Sequence, residues 1–259
     1  MNLTDRAAIG QIIAATVTTS AKPISAVVDS HASAVKYSTA ARNLGVPQGV
    51  LAAAVTAALQ RGDDPASCPE VQRVATASQI SGEGVSQGVD AIVFETFREA
   101  AHNNADQLVE SWRVPFDKAA ATLTAAHQSI GNLALDDAAA IMLKGGDIAK
   151  VWGEAREAAA TIDRIIMGWS ALGEFTRLAN RDQSWNVLRL AVVDLDTIGS
   201  LDPRKISPWE AVLAGLELDL PTFTEYQQRV RAIENAKADW SRQADQRNTD
   251  ALTGRRVTV

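Results

Sequence analysis

The 259-residue chain contains a single cysteine, Cys68. One thiol closes no internal disulfide and supplies no multi-thiolate metal site, so nothing in the chain demands an oxidising compartment. Aromatic residues are scarce: 13 phenylalanines, tyrosines and tryptophans stand against 46 alanines. That ratio excludes an aromatic-rich β-sandwich or barrel, because alanine is the best helix former and is depleted in strands. With 16 glycines and 8 prolines the chain is neither collagen-like nor of low complexity. It has no apolar run of about 18 residues, so no membrane-spanning helix is expected. Residues 1–20 pair Asp5 with Arg6 and break their apolar stretch at Gly10, Gln11 and several threonines. A secretory signal needs a basic start and an unbroken apolar centre. The expected location is therefore cytoplasmic, or in a particle assembled in the cytoplasm.

Charge is present but unevenly placed. The net charge is −6, with six acids and six bases in residues 1–85, twenty acids and twelve bases in 86–220, and five acids and seven bases in 221–259. Phosphate contact requires clustered lysine and arginine, so nucleic-acid binding is not expected of the acidic body. The basic tail, ending near Arg255 and Arg256, suits contact with an acidic partner. Arginine outnumbers lysine 18 to 7. Together with the alanine excess, this points to a GC-rich genome.

What the chain does have is helical periodicity almost throughout, and the expected class is all-α. Helices are predicted from Thr4 or Asp5 to about Thr19, from Ile24 to about Asn43 with Gly45 as its stop, from Gly49 to Gln60 closed by Gly62, and from the Ser67–Pro69 start to about Gly82. These first helices are rich in small residues that bury little area each, so they need neighbours. The strongest signal follows. From Ile148, the series Val151, Ala155, Ala158, Ile162, Ile165, Trp169, Leu172, Thr176 and Ala179 recurs at spacings of three and four, a stripe of about nine turns. Asp147 is its expected cap. A preceding stripe runs through Val89, Val93, Phe97, Ala100, Leu108 and Trp112, then resumes after Pro115 with Phe116, Ala120, Leu123, His127 and Ile130. Pro115 is expected to kink or divide this arm. Residues 86–181 thus read as a long antiparallel helical hairpin, with a short helix near Asp137–Leu143 in its connection. Residues 1–85 read as an alanine-rich region packing on this body, and 182–259 as C-terminal helices with an extended basic tail, the whole forming one continuous unit.

Residues 185–196 read as a short buried helix. Ser207-Pro208-Trp209-Glu210 and Thr222-Phe223-Thr224-Glu225 are both capping boxes. The last predicted helix runs from Phe223 to about Gln246, and the tail from Asn248 to Val259.

Few residues suggest chemistry. Glu99 and His102 have the Glu-x-x-His spacing of a helix-face metal ligand pair, with Glu95 one turn before and Asp106 one turn after. A di-iron bundle needs a second such motif and two further glutamates. The predicted facing arm offers Glu154 and Glu157 but no histidine, so Glu95, Glu99 and His102 form half a ligand set. His31, His102 and His127 are the only histidines, and His127 sits at a stripe position that suits a packed core residue. The chain contains no nucleophile elbow, no lysine-bearing phosphate loop and no dinucleotide fingerprint. No catalytic residue and no cofactor are assigned. The corner from Ala41 to Pro47, leading into a helix through Arg61, has the outline of a helix-turn-helix. A DNA reader needs polar and basic side chains on its second helix, whereas this one is uncharged before Arg61. The six tryptophans all follow residue 111. Trp240, near the end of a charged helix, is the expected subunit contact, together with Arg255 and Arg256.

These features predict a non-enzymatic structural or interaction protein. Its partners are other protein subunits in a homo- or hetero-oligomer, and a bacteriophage virion or assembly component fits the composition. Two alternatives remain: a DNA-binding regulator using residues 44–61 and the tail, and a helical-bundle metal protein or enzyme built around His102.

Overall fold

A computed structural model of the chain describes residues 3–43, 49–82, 84–179, 183–202 and 206–253. Among these residues the protein is all-α, with eleven α-helices, one 3-10 segment and a lone antiparallel bridge between Ala191 and Leu218 in place of any strand. The chain divides into two compact units, Met1–Arg6 with Ile24–Asn104, and Ala7–Pro23 with Ala105–Val259.

In the first unit, α2 (Ser25–Asn43) packs along α5 (Val85–Asn103). Val27 and Ala41 on one side and Val93, Phe97 and Ala101 on the other are buried. His31 meets the Phe97 ring edge-on at 6.0 Å. The buried carboxylate of Asp90 accepts hydrogen bonds from the Ser38 hydroxyl at 2.6 Å and from Arg6 at 3.2 Å, which satisfies a charge that would otherwise be costly to bury. Helices α3 (Val50–Arg61) and α4 (Pro69–Gly82) meet through a small cluster of Ala58, Cys68 and Val71. As its spacing predicts, α3 stops at Gly62, whose φ of +78° takes the left-handed conformation that glycine adopts without strain.

The second unit is organised around α6 (Ala105–Ile130) and α8 (Gly146–Thr176), which share the most extensive helix contact in the chain. The stripe read from sequence is the buried face of α8: Ala155, Ala158, Ile162, Ile165, Trp169, Leu172 and Thr176 all lie inside. Gly168 brings α8 against α1 (Leu3–Thr18), where Ile12 and Ala15 are buried. Trp112 of α6 closes this junction by donating its indole N–H to the Thr16 hydroxyl at 3.0 Å. At the end of α6 and just beyond it, three side chains take up backbone carbonyls. Lys144 donates to Ile130, Trp209 to Leu133 and Trp152 to Leu135, at 2.8 to 3.0 Å. These bonds pin the connection that carries α7 (Ala138–Met142), which Asp137 caps through the Ala140 N–H.

Helices α9 (Leu195–Ser200), α10 (Pro208–Leu213) and α11 (Phe223–Thr253) complete this unit. Both predicted capping boxes are present. The Ser207 hydroxyl accepts from the Glu210 N–H while Glu210 accepts from the Ser207 N–H, and Thr222 and Glu225 make the same reciprocal pair. The indole of Trp169 donates to the Pro221 carbonyl at 2.8 Å and stacks on Phe223, with ring centroids 4.6 Å apart. The Arg189 guanidinium lies 5.5 Å from the centre of the same ring.

Four local expectations differ from the structure. Pro115 does not divide its helix and lies inside α6. Trp112, Phe116, Ala119 and Leu123 are buried on both sides of it, and that burial outweighs the roughly 3 kcal/mol that an interior proline costs a helix. The break falls instead at Asn104, whose side-chain amide donates to the Ala100 carbonyl and ends α5. The stripe from Val89 to Trp112 is therefore split between two helices: α5 packs on α2, and α6 on α8. Asp147 lies in the first turn of α8, while Gly145, at a φ of +105°, occupies the cap position. Residues 183–189 form a 3-10 segment rather than an α-helix, and α11 runs through 253, so the expected extended tail is helical as far as it is described.

Candidate interaction surfaces

The metal-ligand reading places Glu95, Glu99 and His102 on α5, and the structure leaves all three exposed. Glu95 is paired with Arg98 at 2.6 Å, one turn along its own helix. Helix α5 packs on α2 and, less extensively, on α4, whereas Glu154 and Glu157 belong to α8 in the other unit. Asp106, the remaining acid of that constellation, accepts from the Phe223 N–H at 3.1 Å and serves the start of α11. Among the described residues no group of three or more histidines, cysteines or acids is placed to hold a metal ion.

Leu44–Gln48, the turn of the suspected helix-turn-helix corner, lies outside the described residues, as do Arg255 and Arg256. On the helix that follows the corner, the Arg61 guanidinium is engaged with Asp63 at 3.0 Å and Glu70 at 3.7 Å. Among the histidines, His127 is half-buried, with Nε2 3.3 Å from Asn132 Oδ1 and its ring edge-on to Trp209.

More telling is the apolar surface that the helices leave uncovered. Of the twelve residues of α3, nine are Val, Leu or Ala, yet only Ala58 is buried. Leu59 is 61% exposed, and Ala52 and Ala53 face outward with it. On the α2–α5 pair, Tyr37, Ala40, Ala41, Val89, Ile92 and Val93 line a cavity of about 420 Å³. Its walls are almost wholly apolar, and Ile92 is 69% exposed at its edge. Comparison of the chain with protein-family models, curated proteins and solved structures gives no match.

The second unit offers a third surface. Helix α11 buries Phe223, Tyr226 and Ile233, after which every described side chain from Glu234 to Arg247 is exposed except the half-buried Ala236 and Ala244. That stretch of fourteen residues is about 21 Å of helix. Trp240, 62% exposed, lies at its middle on the face that continues from Ile233 through Ala236 and on to Ala244. Arg242 is paired with Asp239 beside it. The structure thus presents Trp240 as an exposed aromatic on a helix half whose described side chains are mostly exposed.

Proposed function

We propose that this protein is a helical subunit of a larger protein assembly, with a structural role in which other protein subunits cover its apolar surfaces. The observation that carries the proposal is α3, whose face of Leu51, Ala54, Val55 and Ala58 meets α4 while Leu59 stays 61% exposed beside exposed Ala52 and Ala53. Exposed apolar patches mark sites of association. The groove beside Tyr37 and Ile92 and the exposed Trp240 extend the same pattern to two further places. Aromatic anchors of this kind dominate the energetics of interfaces. The alanine- and arginine-rich composition points to a GC-rich genome, and a bacteriophage virion or assembly component made in such a host would fit the proposal.

Native mass spectrometry of the untagged protein, at low and at moderate ionic strength, tests the proposal. The expected result is a defined oligomer, or a protein partner retained in fixed stoichiometry, that survives the higher salt, because apolar burial is not screened as charge pairs are. Covering side chains such as Leu59 or Ile92 contributes about 1–2 kcal/mol each. Leu59→Glu and Ile92→Glu should therefore shift the population toward monomer without changing the far-ultraviolet circular dichroism. A bare monomer at every concentration and ionic strength, retaining no protein partner, overturns the proposal.

A further inference from the structure

We draw no further inference here: the strongest candidate, the cavity of about 270 Å³ that Gln11, Asp163, Ser170 and Arg189 line within the second unit, carries nothing, because Arg189 is already held by the Ser170 hydroxyl and the rings of Trp169 and Tyr226, Asp163 is an exposed side chain set apart only by its titration, and the residues that precede Ile206 at the rim lie outside the described residues.

Discussion

Helix α8 offers one substitution at two glycines with opposite expected signs. Replacing Gly153 by alanine adds a methyl group where nothing lies within 4 Å of the new Cβ. Alanine is favoured over glycine in a helix interior by about 1 kcal/mol, so this variant should be stabilised by that amount. At Gly168 the same methyl would lie 2.3 Å from Ala15 Cβ and 3.3 Å from the Gln11 carbonyl oxygen. Carbon atoms pack at about 3.5–4.0 Å, so α1 must withdraw by more than about 1 Å. Withdrawal opens space around Ile12, which is 0% exposed, and stretches the hydrogen bond from Trp112 to Thr16. Overpacking of a rigid site costs about 1–3 kcal/mol. A contact between two backbone-anchored methyl groups belongs at the upper end, which leaves a net loss of about 2 kcal/mol after the propensity gain. For a chain of this length each kcal/mol moves Tm by about 2–4 °C. Gly153→Ala should therefore raise Tm by about 2–4 °C and Gly168→Ala lower it by about 4–8 °C, as followed by circular dichroism and urea denaturation. Ala15→Gly combined with Gly168→Ala should recover most of the loss, since it removes the opposing methyl. If Gly168→Ala stabilises the protein as Gly153→Ala does, α1 does not lie against α8 at this point and the packing described for the second unit is wrong.

The Trp112–Thr16 hydrogen bond gives a second check. Trp112→Phe and Thr16→Val should each cost about 1–3 kcal/mol in urea denaturation, and together distinctly less than their sum, because each removes the same buried bond. Strict additivity would show that the two side chains do not interact. Two carboxylates should respond to pH in opposite directions. Glu225 is pushed up by desolvation, but the Thr222 N–H and hydroxyl and the Arg113 guanidinium more than offset this and hold it below 4.5, its ordinary value. Its stabilisation is therefore present at neutral pH and lost as the pH falls through the folded-state value, so Glu225→Gln should destabilise at neutral pH and much less in acid. Asp163 is raised above 3.8 by desolvation, but its side chain is exposed and solvent screens much of the effect. Asp163→Asn should therefore stabilise only slightly at neutral pH, with the advantage disappearing as the pH drops toward 3.8. Parallel pH profiles for the two variants would refute this assignment.

The parts of the fold that were legible in the sequence are those where local chemistry and burial agree. The α8 stripe is read correctly from Ala155 to Thr176 because every one of those positions faces the interior of one unit. The two capping boxes and the Gly62 stop are encoded in adjacent residues, and tertiary packing has no reason to override them. Pro115 and Asn104 show where this breaks down. Proline is the stronger helix breaker by propensity, yet α6 passes through Pro115, while Asn104 ends α5 with a side-chain bond to Ala100. Asparagine's capacity to compete for backbone partners is ordinary in loops and caps, and nothing in the flanking pattern marked it as decisive here. The apolar face carrying Val93 and Phe97, which lies before this break, packs on α2.

The interaction surfaces were less legible for a related reason. Periodicity reports which face of a helix is apolar, but it does not report where the body that covers that face ends. Ile233 and Trp240 are two turns apart on the same side of α11, and by pattern they are equivalent core positions. The structure leaves one 3% exposed and the other 62% exposed. The difference lies in the second unit, which supplies neighbours for α11 as far as Ile233 and few beyond it. In α3 the face of Leu51, Ala54, Val55 and Ala58 packs on the α4 cluster, while the apolar Ala52, Ala53 and Leu59 on the other side stay exposed, and composition alone does not tell the two sides apart. A stripe that outruns its own unit at Trp240, and a helix that keeps Ala52, Ala53 and Leu59 exposed, are the features on which the proposed association rests. This is why the substitutions at Leu59 and Ile92 should act on association and leave the folding of either unit intact.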